Sequence, residues 1–237
     1  MAKLPVLMYH NVTQNCKISK GLTICTQKLE EQFKYIAYNY TTFHLSELEK
    51  NENIPAGSIV ITFDDVTVNQ LEYAVPLLEK YKLKATFFIP FNYVGKTDSW
   101  NTNGNEPIMN VEQLKSINPE VVEFGYHSFM HIRYAEMTDD EVNLDCKQCR
   151  EFIEVNGLEV YPAVAYPYGN YPKKDPRKAE FKKLLEANGI KMGLRIGNRV
   201  NCFPIREKYE IQRIDVKGED SLFKFKLKLR FGRLKLF

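Results

Sequence analysis

No stretch of this chain approaches the roughly 18 consecutive apolar residues of a membrane-spanning helix. The apolar run at Leu4–Tyr9 is too short for a secretory leader and soon gives way to polar residues. Neither sign of charge dominates, with 33 basic residues against 30 acidic ones, so nothing in the balance calls for a nucleic-acid partner. The five cysteines, Cys16, Cys25, Cys146, Cys149 and Cys202, are odd in number and irregularly spaced, unlike a disulfide framework. They predict a reducing compartment, hence the cytoplasm. There is no internal repeat or low-complexity tract, a single tryptophan, and no histidine after His131. Imidazole chemistry therefore has to come from His10, His44, His127 and His131.

What remains is an ordinary globular composition, 44% hydrophobic, in 237 residues, enough for one large α/β domain with its own core. Buried strands are predicted at 5–9, 58–63, 85–89, 121–126, 160–166, 190–196 and 211–216. Helices are predicted at 27–38 behind Thr26 as N-cap, at 69–81, 111–117 and 179–187, and from the Thr138–Glu141 capping box to about 155. Alternation of strand and helix predicts a parallel sheet rolled into a barrel-like form. In such folds chemistry gathers at the strand C-termini, where His10, Asp64, Asp65, His127 and Tyr168 all fall.

Two distant segments carry the chemistry: Thr62-Phe63-Asp64-Asp65 and His127-Ser128-Phe129-Met130-His131. One carboxylate with two imidazoles is a three-ligand set that leaves a divalent ion room for water, and the spare carboxylate can take that water's proton. Each piece has a plainer explanation. The aspartate pair suits a helix cap, and the histidines suit an ordinary loop. The Cys146-x-x-Cys149 spacing matches redox or zinc sites, but it lies in a predicted helix without a second pair and reads as structural.

With these residues assembled, the chain resembles the polysaccharide deacetylases of carbohydrate esterase family four, the NodB-homology group, over about 5–216. The motifs appear as Thr62-Phe63-Asp64-Asp65-Val66, as His127–His131 complete, and as Ala165-Tyr166-Pro167-Tyr168-Gly169. The resemblance implies a distorted (β/α) barrel of seven strands or fewer. It also implies a zinc-type ion (Co2+ or Ni2+ as alternatives) on Asp65, His127 and His131, with Asp64 as base. Leu7-Met8-Tyr9-His10 is similar to the poly-N-acetylglucosamine subgroup, which makes His10 the acid, while His44 is expected to pack on a sheet face. The backbone N–H of Tyr168, together with the metal, is expected to serve the oxyanion.

Two departures stand out. Val66 replaces a glycine, so its turn is expected to adopt a conformation open to a β-branched residue. Ala165 replaces an arginine that orients the catalytic aspartate, and Arg213 on a late strand is the conjectured substitute. Sugar contacts are assigned to Tyr9, Trp100, Tyr126 and Pro167, with Trp100 first.

The expected activity is metal-dependent hydrolysis of an N-acetyl group on a sugar or polysaccharide of cell-envelope glycan assembly, with a lipid-linked substrate conceivable. The rivals are a catalytically silent glycan binder and a hydrolase of another amide or ester, such as an O-acetyl sugar. Residues 1–217 form the expected catalytic domain and 218–237 a basic amphipathic segment. The alternating run 223–231 reads as an edge strand with lysines outward, or as a surface for anionic lipid at the inner face of the membrane.

Overall fold

The computed structural model describes residues 2–101 and 105–232. Seven parallel strands close into a barrel: β1 (Val6–Tyr9), β2 (Ser58–Asp64), β3 (Ala85–Ile89), β4 (Val122–Tyr126), β5 (Val160–Ala165), β6 (Met192–Ile196) and β7 (Ile211–Asp215). From β2 to β7 the strands lie side by side in chain order, and β1 closes the ring by pairing with β7 and β2 (Ile214 with Leu7, Tyr9 with Phe63). Every predicted barrel strand is present, and the strand count meets the expected limit.

Period-two alternation sorts the strand residues. Val6, Val60, Phe88, Ala163, Ala165, Leu194 and Ile211 fill the barrel interior, where α2 (Leu45–Lys50) joins them through Leu45 and Leu48. Their neighbours Leu7, Tyr9, Ile61, Phe63, Phe87 and Ile89 face outward into the larger core beneath the helices. Gly125 is required by the interior, since a Cβ there would lie 2.7 Å from the Phe88 ring.

The outer layer comprises α1 (Thr26–Asn39), α3 (Val75–Lys80), α4 (Val111–Lys115), α5 (Asp139–Asn156), α6 (Arg177–Ala187) and α7 (Leu222–Phe231). The Thr138–Glu141 capping box forms as predicted, satisfying donors at the start of α5. The helix expected at 69–81 is divided: Gln70–Ala74 makes one π-helical turn before α3. Cys25, not Thr26, occupies the N-cap position of α1, without a side-chain capping bond.

Three expectations need correction. Cys16 and Cys25 are joined as a disulfide, so the irregular spacing hid one local pair, while Cys146, Cys149 and Cys202 are free. The run at 223–231 is helical instead of an edge strand, because a closed barrel offers no edge to extend. Ser221 caps α7, Phe225 and Leu229 are buried on its inner side, and Asp220 draws Lys224 (2.7 Å) and the buried Lys228 together. The rest of that call, 233–237, lies outside the described residues. Val66, finally, adopts φ 44°, the left-handed conformation that a β-branched residue disfavours, and does so fully buried.

Candidate active site and metal centre

Inward-facing positions at the C-terminal ends of β1, β2, β4 and β7 build the site. Asp64 ends β2 on the interior side. Asp65 then turns aside at φ 78°, its N–H donating to the Phe88 carbonyl (3.1 Å), and the Val66 carbonyl accepts the Met109 N–H (2.9 Å). Ser128, His131 and Tyr168 also have positive φ. Such a concentration of disfavoured backbone marks a site held by its surroundings.

Asp65, His127 and His131 converge with their donor atoms all within 4.8 Å of one another. Both His127 Nε2 and His131 Nε2 stand 3.5 Å from Asp65 Oδ1. Tetrahedral ligands at about 2.1 Å from an ion would be about 3.4 Å apart, so the trio fits one divalent cation. The donor chemistry agrees. His127 Nδ1 donates to the Ala165 carbonyl (2.8 Å), which leaves Nε2 as the lone-pair nitrogen, and Asp65 Oδ1 is buried without a hydrogen-bond partner.

Burial drives His127 down to about 4 and His131 to about 2, leaving both imidazoles neutral and able to ligate at neutral pH. Burial, with the nearby charges of Asp64 and Asp98, pushes Asp65 well above the carboxylate range. A cation would reverse that penalty.

Asp64 has the opposite fate. Burial alone would raise its pKa, but Arg213, reaching from β7 with no exposed surface, donates from both terminal nitrogens to its two oxygens (2.5 and 2.9 Å). This guanidinium, with His127 and His10, holds the carboxyl well below the ordinary range. Arg213 thus occupies the role left open by Ala165, whose small side chain lies in the same barrel interior. His10 Nε2 stands 3.7 Å from Asp64 Oδ2, and burial lowers the imidazole's pKa.

At the mouth, Trp100 stacks on His131 (ring centroids 4.1 Å apart, planes 19° apart) and Tyr168 meets the same ring edge-on at 4.8 Å. Arg133 lies over the Tyr168 ring at 4.3 Å. Two residues assigned to sugar contact face away from the mouth, and a third is buried. Tyr9 faces outward, stacked on Phe63, with its hydroxyl donating to Gln32 (2.8 Å); Tyr126 faces the helix side against Phe91; Pro167 is buried beneath its turn. The cause is alternation, because Tyr9 and Tyr126 each precede an inward residue by one. His44 is remote, contacting the Val121 carbonyl (3.2 Å) at the other end of β4.

Asp145 carries no mark of its role in the sequence. From α5 it accepts the Phe129 N–H (2.7 Å) and the Tyr134 hydroxyl (2.9 Å), fixing the loop between the two histidines. Nothing in its helical context distinguishes it. Arg133 was also missed, although its place two residues after His131 was a usable signal.

An ionised carboxylate, a neutral imidazole and three donors that could hold a cation meet at one barrel mouth, an arrangement suited to hydrolysis. Comparison with known proteins is more specific. The family model described as polysaccharide deacetylase matches residues 51–188, and the chain belongs to that family. The match contains Asp64, Asp65, His127, His131 and Tyr168, whereas His10 and Arg213 lie outside it. The Bacillus subtilis protein YxkH, named as a polysaccharide deacetylase, is 25% identical over 81% of this chain and 64% of its own length. The poly-beta-1,6-N-acetyl-D-glucosamine N-deacetylase of Staphylococcus epidermidis is 25% identical over 92% of this chain and 76% of its own. The chain thus spans less than two thirds of the first of these relatives.

Among solved structures, a Streptococcus pyogenes deacetylase, PplD, in complex with acetate superposes with a TM-score of 0.77 at 19% identity, covering 96% of this chain and 98% of that one. IcaB from Ammonifex degensii gives 0.77 at 20% identity, covering 97% and 98%. These likenesses establish the shared barrel fold.

Proposed function

We propose that this chain is a divalent-metal-dependent deacetylase removing N-acetyl groups from N-acetylglucosamine units of an envelope or surface polysaccharide. The Arg213–Asp64 clamp beside the Asp65, His127 and His131 donors carries the reading, because it sets a carboxylate that is ionised at neutral pH next to residues able to hold a cation. The name of the staphylococcal relative supports the substrate class. A silent glycan binder loses its main support once Arg213 stands in for the missing arginine. Removal of an O-acetyl group remains the rival chemistry, separable by the substrate supplied.

A cation on Asp65, His127 and His131, most simply Zn2+ with Co2+ or Ni2+ as substitutes, would supply Lewis acidity toward the acetyl carbonyl and acidify water. The protein residues manage the protons. Asp64 accepts one from the attacking water as the C–O bond forms. Arg213 keeps Asp64 charged but also makes it a weak base, so the neutral His10 beside it is suited to receive that proton. The resulting imidazolium gives it to the departing nitrogen as the C–N bond breaks, yielding acetate and a free amine. The Tyr168 N–H faces the developing oxyanion in this scheme, a donor worth about 3 kcal/mol. Trp100, backed by His131, is the sugar platform.

Acetate release from β-1,6-linked N-acetylglucosamine oligomers, with and without chelator, tests the proposal. Release that persists after complete metal removal, or none under any metal loading, overturns it.

Compartment and surface are proposals too. The Cys16–Cys25 disulfide supports an oxidising compartment in place of the cytoplasm expected from the cysteine count. Contact with anionic lipid would rest on Lys226, Arg230 and the residues beyond 232, since Lys224 and Lys228 both pair with Asp220. Because α7 contributes to the core, charge reversal at Lys226 and Arg230 is a fairer liposome test than truncation at 217. Equal sedimentation of the wild-type and charge-reversed proteins would remove the lipid reading.

A further inference from the structure

We infer that Gln70 is a positioning residue for the proton-transfer pair, holding His10 and Asp64 at their working separation where β1 leaves the barrel. The inference rests on the assignment of those two residues to proton transfer.

The register of β1 on β2 pairs Val6 with Val60 and Met8 with Thr62, and Val60 donates its N–H to the Pro5 carbonyl (3.0 Å). Continued by one step, this parallel ladder would place His10 opposite Asp64 and give the Asp64 carbonyl the N–H of Asn11. The chain does not continue so. Asn11 turns away and donates to the Leu22 carbonyl (3.1 Å), as Asn11–Thr13 pairs with Thr23–Cys25. The barrel therefore loses its ladder at the two residues that the chemistry needs together.

One side chain takes over. Gln70 Nε2 donates to the Asp64 carbonyl (2.6 Å) and to the His10 carbonyl (3.1 Å), bridging the ends of β1 and β2 with a single amide. The amide orientation follows from chemistry, since both partners are carbonyls and only NH2 can donate to two of them. Gln70 is fully buried. It opens the π-helical turn Gln70–Ala74, in which the Val75 N–H reaches back to the Gln70 carbonyl, and its own N–H donates to the Thr67 carbonyl (2.9 Å). Its backbone is thus fixed at both ends, and an irregular turn of this kind often accompanies a functional constraint. Gln70 is buried and its amide bonds the backbone of His10 and Asp64, not a cation-donor side chain, so its influence passes through those two residues.

Gln70→Met keeps the length and removes the donor; Gln70→Glu keeps the shape and, when ionised, opposes both carbonyls. For Gln70→Met a misplacement of about 1 Å should lower kcat about 100-fold, with KM for the oligomer and bound-metal content unchanged. Its crystal structure should show the His10–Asp64 separation lengthened from 3.7 Å. Gln70→Glu should fall at least as far, again in kcat alone. Unchanged kcat, an unchanged separation, or a joint loss of kcat, KM and metal overturns the inference, and so does failure of both variants to fold, which would mark a purely structural residue. Should the wild-type protein release no acetate, the functional proposal fails, while the crystallographic separation still decides whether Gln70 sets the spacing.

Discussion

Replacing Arg213 with methionine is the sharpest test of the site's electrostatics. The guanidinium is wholly buried and makes both strong hydrogen bonds to Asp64, which is itself 2% exposed. Burial, and Arg213 itself, hold the neighbouring imidazoles of His127 and His10 low in pKa, so in the wild-type protein at neutral pH it is Arg213 that supplies the positive charge to Asp64. Leaving one member of such a pair behind costs about 3–5 kcal/mol. For a chain of this size that is a fall of about 10 °C in Tm.

The pH dependence should reverse in sign. In the wild-type protein Asp64 lies below its unfolded value, so its stabilising contribution is complete above about pH 4 and is lost as pH falls through the folded pKa. Without Arg213, burial is left to push the carboxyl up, and acidification should now favour the folded state at this group. The acid limb of kcat/KM should move upward with it, because a protonated Asp64 cannot act as base. Differential scanning fluorimetry and acetate release across pH 4–8 read both effects. Adding Asp64→Asn should restore most of the lost stability but none of the activity. An Arg213→Met protein with unaltered Tm and an unaltered acid limb would refute the reasoning.

Zinc binding should release a proton near the pH at which Asp65 is still protonated, since burial and Asp64 raise that carboxyl and a cation must displace its proton. Calorimetry in two buffers of different ionisation enthalpy detects it, and identical heats would count against the site. His131→Ala should lose the ion altogether, as elemental analysis would show. Asp145→Ala should weaken metal binding about 10–100-fold by loosening the loop between the histidines; unchanged affinity in a chelator competition would exclude that role. Burial lifts Asp145 to about 6, above its unfolded value, so the wild-type protein gains stability at this group as pH falls from 6 towards 4, and the variant's Tm profile should be flatter there. Thiol titration of the oxidised, unfolded chain should count Cys146, Cys149 and Cys202 only. Five reactive thiols would remove the Cys16–Cys25 bridge.

The barrel was legible because strand and helix periods are local and alternate along the chain. The His127–His131 motif and the Asp64–Asp65 pair were legible for a similar reason, each being compact and chemically distinctive. Tyr9 and Tyr126 were misassigned because closeness in sequence to His10 and His127 says nothing of which side of a strand a residue faces. Alternation sends them to the helix side. The C-terminal run deceived in the other direction, since its strict alternation suits a strand but a closed ring has no edge to receive one. Val66 was expected to relax its turn, yet the contacts of Asp65 and Met109 impose the left-handed backbone on it.

By itself the sequence determined the inventory: a parallel α/β architecture, two imidazoles and a carboxylate able to share a cation, and a second carboxylate beside them. Only the tertiary structure decided the partnerships, Arg213 on Asp64, Asp145 on the histidine loop, Gln70 across the parting of β1 and β2. Hydrophobic periodicity and motif spacing act over a few residues. Which buried charge meets which, 149 positions away in the case of Arg213 and Asp64, is set only when the last strand closes the ring against the first.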